Sequence, residues 1–486
     1  MQVHDKLFIG GEWVSPSTSA MIDVVSPHNE EVIARVAEGR EADIDRAVAA
    51  ARAAFDHGPW PRMKASERAD IIARLQAILQ ERSAELATTI TNEMGCPISF
   101  SHVGQVMSSI MVLDYYVRLA REYAFEEVRP GMMGPALVRR EPVGVAGCIV
   151  PWNVPLFVTV LKLGPAMAAG ATVVLKPAPE TPLDAITLAD ALTAAGVPKG
   201  VINIVPAGRE VGEHLVRHRD VDKIAFTGST AAGRRIGSIC GEQLKRVTLE
   251  LGGKSAAIVL DDADLSTTIP GILPAAIMNN GQACVAQTRI LASRKRYADV
   301  VDAMTEAVRG VQVGDPMDPM TVCGPLVAAR QRERVEGYIR AGRDEGARVT
   351  CGGGRPAGLA KGWYVEPTVF ANVNNSMKIA REEIFGPVVA VIPYDDVEDA
   401  VRIANDSDYG LSGSVWSADV EAGLDIARRI RTGTYTVNGF AMEFSAPFGG
   451  FKASGLGREL GPEGLLAYLE PKTINLPMGY EATPQN

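Results

Sequence analysis

Residues 143–196 read VGVAGCIV, PWNV, PLFVTVLKLGPAMAAGA, TVVLK, PAPE and TPLDAITLADALTAAG in succession, and this stretch decides the fold. Val143 to Val150 is a short apolar run that reads as a buried strand. Pro155 to Ala169 reads as a helix, with proline at its first position and Gly170 at its stop. Thr172 to Leu175 is a second strand, and Thr181 to Ala195 a second helix closed by Gly196. Thr181 there suits an N-cap, with Pro182 at the first helical position and Asp184 three residues after the cap. Alternation of this kind implies right-handed βαβ crossovers and a mostly parallel sheet covered on both faces. Pro142 to Leu161 is a run of 20 residues without a charge. Three prolines and Asn153 rule it out as a membrane helix, because they would leave backbone groups unpaired in hydrocarbon.

The same rhythm extends outward. Val201 to Val205, Lys223 to Phe226 and Val247 to Leu251 continue the strand series, and a second αβ series runs from Ser255–Leu260 to about Lys452. Upstream lie short strands at Leu7–Ile9, Glu12–Val14 and Val32–Val36. A helical stretch follows from Glu41 to about Glu93, then another helix from Ser101 to about Arg121. Glu126 to Gly134 is polar and bears Gly and Pro. The tail after Pro471 reads as an edge strand or an arm reaching a neighbouring subunit.

The 486 residues carry 49 Lys+Arg against 58 Asp+Glu, a formal charge of −9, with 47% hydrophobic and 22% charged residues. That balance excludes disorder, and the absence of a basic cluster argues against nucleic acid or an anionic membrane as partner. Six cysteines without a C-x-x-C pair make neither a disulfide scaffold nor a zinc ribbon. No signal-peptide pattern opens the chain, so a cytoplasmic enzyme with reduced thiols is expected.

Sheets of this class bind ligands at the carboxyl ends of their strands, so the residues there carry the information. Four turn-like clusters follow strands: Pro151-Trp152-Asn153, Lys176-Pro177, Gly228-Ser229-Thr230 and Glu250-Leu251-Gly252-Gly253. A fifth, Asn280-Gly281-Gln282-Ala283-Cys284, ends the helical stretch that begins near Leu265. Gly228 to Gly233 has the outer glycines of a P-loop but not its Lys-Ser/Thr. Gly455, Gly457 and Gly461 miss a dinucleotide fingerprint by one residue and lack its strand–helix setting. His214 and His218 stand at i, i+4 spacing without further ligands, so no metal site is expected and a solvated helix face is the reading.

Together these clusters resemble the NAD(P)-dependent aldehyde dehydrogenase superfamily, in its non-acylating branch. The resemblance runs from Ile9-Gly10-Gly11-Glu12-Trp13 to Pro447-Phe448-Gly449-Gly450-Phe451-Lys452 and Gly455-Leu456-Gly457-Arg458-Glu459. Its most specific matches are Glu250-Leu251-Gly252-Gly253-Lys254, Gly281-Gln282-Ala283-Cys284 and Glu382-Glu383-Ile384-Phe385-Gly386-Pro387-Val388. It implies Cys284 as nucleophile, whose thiolate attacks an aldehyde carbonyl to give a thiohemiacetal and then a thioester. The other five cysteines are assigned to structure. The resemblance implies Asn153 as an oxyanion donor with the Cys284 backbone N–H. It implies Glu250 as the general base that hydrolyses the thioester to a free acid. Lys162 matches a family lysine near the active site, although a helix lysine snorkelling to solvent fits it nearly as well.

On the cofactor side the resemblance implies NAD held by Pro151, Trp152, Lys176, Gly208, Gly212, Phe226, Gly228, Ser229, Leu251, Gly252, Glu383 and Phe385. Lys176 and Glu383 fall to the two riboses, Ser229 to a phosphate and Phe385 to the nicotinamide. Where NAD-preferring relatives carry a glutamate, this chain has Pro179, with Glu180 one residue on, so NADP stays open. The implied substrate pocket is apolar: Val154, Val158, Leu161, Ala283, Val285 and Phe448. It lacks a cation for a substrate carboxylate, which points to a medium-sized uncharged aldehyde, aliphatic, terpenoid or aromatic. The alternatives are a semialdehyde dehydrogenase of the same family and a cysteine hydrolase without a redox cofactor. The implied architecture is α/β: a Rossmann-like cofactor domain (1–121 and 143–252), a catalytic domain (253–452), and a small β oligomerisation element with tail (122–142 and 453–486). A homodimer or homotetramer is implied.

Overall fold

The computed structural model describes residues 1–480. Positions 481–486, the end of the expected arm, lie outside the described residues. Strands Val145–Ile149, Thr172–Lys176, Ile202–Ile204, Lys223–Thr227 and Arg246–Glu250 run parallel at the heart of an eight-stranded sheet. Every residue of the first two is buried, as strands with helices on both faces require. The chain winds outward from Val145–Ile149 through Thr172–Lys176 to Ile202–Ile204, then returns to the other side of the starting strand at Lys223–Thr227. This reversal opens a crevice beyond the carboxyl ends of Val145–Ile149 and Lys223–Thr227, the usual ligand site of such sheets. Antiparallel Leu7–Ile9 and Glu12–Val14 extend one edge, and Gly455–Leu456 the other.

Helix Pro155–Ala169 matches its expected limits: Pro155 opens it and left-handed Gly170 ends it. All its residues are buried, and it packs on helices Ala65–Glu81 and Ser108–Glu122. The next helix departs from expectation. It spans Leu183–Ala194, with Pro182 at the cap and no local side-chain bond, while Thr181 Oγ1 donates to the Trp152 carbonyl at 3.4 Å. Its orphan N–H groups, those of Leu183 and Asp184, donate instead to the Glu93 carboxylate at 2.9 and 3.3 Å. The cap thus comes from helix Ser83–Met94, which no local sequence pattern reveals. The helical region expected over 101–121 carries a π segment, Ser101–Met107, before helix Ser108–Glu122.

A second sheet of seven strands starts at Ala256–Val259, two residues beyond the Gly252-Gly253-Lys254 turn. The polar stretch after Glu122 is not all loop. Glu126–Arg129 pairs with Ala136–Pro142, which pairs with Leu469–Asn475 along its whole length, so these three strands form a sheet apart from the two large ones. Gly455–Leu456 and helix Gly461–Leu466 lie elsewhere, the first in the eight-stranded sheet and the second against Pro155–Ala169. No helix among the described residues is long and apolar enough to cross a membrane.

Candidate active site

Three chain segments meet closely beside Cys284. The first is the turn Leu251-Gly252-Gly253, leaving strand Arg246–Glu250; the second is the loop Met278–Cys284, leaving helix Leu265–Ile277; the third is Glu383–Gly386. Their approach is so close that side chains are excluded. A Cβ on Gly253 would stand 2.2 Å from the Cys284 carbonyl oxygen, one on Gly281 2.1 Å from the Gly386 carbonyl carbon, and one on Gly252 2.5 Å from Glu383 Oε2. The loop Pro151–Val154 closes the fourth side. Asn153 Nδ2 donates to the Gln282 carbonyl at 2.8 Å, and the Trp152 and Phe385 rings meet edge-on at 5.4 Å. Cys284, Asn153 and the Glu250 turn, far apart in sequence, therefore share one site.

Cys284 is half-buried, and burial together with the charges of Glu383 and Glu250 pushes its thiol up to about 12. A thiol so placed holds its proton tightly. Glu250 stands near enough for its charge to act on that thiol. Only 3% of it is exposed, and neither carboxylate oxygen has a hydrogen-bond partner among the described residues. Burial first, and the charge of Glu459 second, hold its carboxyl well above the usual range, while Lys162 and Arg458 pull it down. Its side chain lies over Gly449, where a Cβ would come within 2.6 Å of Oε1.

Lys162 does not snorkel. Its side chain is fully buried and its Nζ donates to Glu459 Oε1 and to Thr227 Oγ1, both at 2.6 Å. This pair sets the charge around Glu250. Glu459 closes the Gly455-Leu456-Gly457-Arg458-Glu459 segment noted in the sequence, but nothing in that segment shows its pairing with Lys162, so its role is not legible there.

The crevice of the eight-stranded sheet collects the cofactor-side residues. Lys176, at the end of its strand, is buried and donates to the carbonyls of Pro177 (3.1 Å) and Ala207 (2.7 Å), and burial lowers its ammonium to about 8. Gly208 is the N-cap of helix Arg209–Arg217, and a Cβ on Gly212 in that helix would touch Lys176 Cε at 3.2 Å. Gly228 sits over the Phe226 ring, which leaves no room for a side chain. Ser229 is exposed and caps helix Thr230–Glu242, accepting from the Ala232 N–H at 3.3 Å. Its hydroxyl remains able to donate, beside the open N–H groups of that helix. Leu251 is buried, and its N–H donates to the Ser454 carbonyl. Glu383 Oε1 accepts from the Gly253 N–H at 2.9 Å, and burial raises its carboxyl to about 7. Glu180 is tied to Arg330, so the loop beside Pro179 offers no free carboxylate.

One hydrophobic cluster forms the remaining wall. It includes Val158, Leu161, Val285 and Phe448, with Val154, Ala283 and Cys284 packed against it. Phe440, Met442 and Phe444 join the same cluster and were not singled out from sequence; Phe444 meets Phe157 at 6.2 Å between ring centres. Arg458, whose charge reaches Glu250, is committed to the Gly450 and Gly457 carbonyls and to the Phe451 ring. His214 and His218 both face Asp45, at 2.6 and 3.5 Å, and so join helix Arg209–Arg217 to helix Glu41–Asp56 rather than merely facing solvent. Cys96, Cys148, Cys240 and Cys323 are buried and Cys351 half-buried, all distant in sequence from Cys284. Among the described residues no group of three or more His, Cys, Asp or Glu is placed to hold a metal ion.

Comparison with known proteins agrees with this geometry. The model of the aldehyde dehydrogenase family matches residues 13–474. A geranial dehydrogenase of Castellaniella defragrans is 47% identical over 474 residues, covering 97% of this chain and 99% of that one. The crystal structure of a Mycobacterium tuberculosis aldehyde dehydrogenase with NAD+ superposes with a TM-score of 0.98 at 51% identity, over 99% of this chain and 100% of that one. A Pseudomonas syringae aldehyde dehydrogenase, a cysteine-to-alanine mutant in complex with NAD+ and octanal, gives 0.94 at 44% identity, over 97% and 96% of the two chains.

Proposed function

The chain belongs to the aldehyde dehydrogenase family, and from that membership we propose that it oxidises a medium-sized, uncharged hydrophobic aldehyde to the carboxylic acid with NAD. A single juxtaposition supports the chemistry: a half-buried thiol, a buried carboxylate without a hydrogen-bond partner and a buried amide meet against an apolar wall. Glu250 takes the Cys284 proton, and the thiolate adds to the aldehyde carbonyl. The second N–H of Asn153 and the Cys284 backbone N–H receive the developing oxyanion, a kind of donor worth about 3 kcal/mol of barrier. NAD supplies the acceptor for the hydride that leaves the thiohemiacetal. Once the thiol proton has passed from Glu250 to solvent, Glu250 removes a proton from water as it attacks the thioester, and the acid departs from Cys284, whose thiolate takes that proton back.

The crevice fits such a cofactor. It has a helix N-terminus with an exposed Ser229 for phosphate, Lys176 and Glu383 for the riboses, and the Trp152–Phe385 edge pair for the nicotinamide. Pro151, Gly208, Gly212, Phe226, Gly228, Leu251 and Gly252 complete its lining. We place the cofactor domain at 1–121 and 143–252 and the catalytic domain at 253–452. The separate sheet of Glu126–Arg129, Ala136–Pro142 and Leu469–Asn475 is our candidate for the contact of a cytoplasmic homodimer or homotetramer.

The apolar wall and the commitment of Arg458 favour an uncharged substrate. The geranial and octanal of the two relatives are of the same character. A panel of hexanal, benzaldehyde, geranial and succinic semialdehyde, with NAD and with NADP, tests this by absorbance at 340 nm. We expect kcat/KM for hexanal or geranial to exceed that for the semialdehyde by about 100-fold, as for a buried charge without a partner. NAD should exceed NADP. Best turnover of the semialdehyde would overturn the substrate reading, and best use of NADP the cofactor order.

The charge pattern around Glu250 gives a pH test. Glu459 raises the Glu250 carboxyl, so Glu459→Gln should lower it and move the acid limb of the kcat profile to lower pH. The limb moves down because a lower pKa leaves Glu250 ionised, and active as a base, to a lower pH. An unmoved limb would remove Glu250 as the titrating group. The variant leaves Lys162 buried without its ion-pair partner, at a cost of about 3–5 kcal/mol, so its melting temperature is measured beside the profile.

A further inference from the structure

We propose that Asn279 is a positioning residue that fixes the Asn153 amide against the Cys284 loop. The proposal rests on the oxyanion role of Asn153 given above. Asn279 is 1% exposed and left-handed at φ 54°, and Asn280 beside it is left-handed at φ 61°. Two successive non-glycine residues in this region, both buried, are rare, and such strain persists only where the surroundings enforce it.

The two asparagines are held by different partners. Asn280 is tied outward: its Nδ2 donates to the Gly95 and Pro325 carbonyls and its Oδ1 accepts from the Gly324 N–H. Asn279 is turned the other way. Its Nδ2 donates to the Asn153 carbonyl at 2.8 Å and to the Gln282 carbonyl at 3.1 Å. The Gln282 carbonyl also accepts the Asn153 side-chain amide at 2.8 Å. One carbonyl, two residues before the nucleophile, is therefore the common acceptor of both amides. The closed ring Asn279–Asn153–Gln282 uses one N–H of the Asn153 amide and sets the plane of the other. Gln105, from the π segment, adds a 3.4 Å bond to the same Asn153 carbonyl. Both of its Nδ2 partners belong to this ring, so its effect reaches the site through the Asn153 residue and the Gln282 carbonyl that holds the Asn153 amide.

A double-mutant cycle tests this, with rates expressed per titrated Cys284 thiol so that misfolded protein does not count. Asn279→Gly keeps the left-handed backbone and removes the amide. With hexanal and NAD we expect kcat to fall about 30-fold and the KM for NAD to stay within about twofold, since the lost function is placement of one oxyanion donor. Hexanal deuterated at C1 should then show a primary isotope effect, in this variant as in Asn153→Ala. The double variant should fall no further than Asn153→Ala. Losses that multiply in the double variant would overturn the positioning role while leaving that of Asn153 intact. Full activity of Asn153→Ala would overturn the oxyanion reading and, with it, this one. Should the glycine variant fail to fold, Asn279→Asp tolerates the same backbone, removes the same donor and carries the same test.

Discussion

Replacing Cys284 by Ala should lower aldehyde oxidation by about five orders of magnitude, the scale on which loss of a covalent nucleophile acts. NAD affinity should stay within about twofold, because no cofactor-crevice group depends on the thiol. The protein should also stay folded: one half-buried sulfur is lost, at a cost of about 1 kcal/mol. No other thiol can take over, since four of the remaining five are buried and Cys351 lies on a strand of the second sheet. The loss should appear in kcat and kcat/KM together, as for an interaction made only along the reaction path. Turnover that survives the replacement would end the covalent mechanism, and wild-type turnover without nicotinamide reduction would favour the cysteine hydrolase.

Replacing Glu250 by Gln should produce a different defect. Steady-state turnover should fall by about a thousandfold, within the range for loss of a general base. One equivalent of reduced nicotinamide per active site should still form, because attack and hydride loss precede the hydrolysis that fails; thiol attack itself would be slower and more dependent on high pH. The same change should raise thermal stability at pH 8. The Glu250 carboxyl is held above its unfolded value, so its contribution to stability is complete below the unfolded pKa and is lost as pH rises through the folded one. The variant's advantage should therefore shrink as pH is lowered towards 4. A site that costs stability in order to act is the expected trade-off. Equal melting temperatures at both pH values would contradict the buried, unpartnered state of Glu250.

Much of this was legible in the sequence because local chemistry and fold agree there. Helix Pro155–Ala169 has its punctuation at both ends, and the strands around it are short apolar runs that match a fully buried sheet. Cys284, Asn153 and Glu250 stand at strand or helix ends, where such sheets display their chemistry. What stayed hidden was decided by distant partners. Glu93 caps a helix 90 residues away, so Thr181 was misread as the cap. The π segment Ser101–Met107 adds its extra spacing without changing the apolar pattern. Polar Glu126–Arg129 becomes a strand because Ala136–Pro142 and Leu469–Asn475 are there to pair. Lys162 is buried because Glu459, nearly 300 residues on, neutralises it, and no helical pattern shows that. Asn279 looks like any loop asparagine until its two carbonyl partners are known.

The central claim is that the substrate carbon is carried as a thioester on Cys284 and released by Glu250. The direct test is to mix Glu250→Gln with NAD and hexanal, quench in acid within the first turnover, digest, and weigh the peptide that contains Cys284. The account predicts that peptide heavier by one hexanoyl group, in an amount equal to the nicotinamide reduced and absent without NAD. Reduced nicotinamide formed with no acyl group on Cys284, or an acyl group on any other residue, would contradict it.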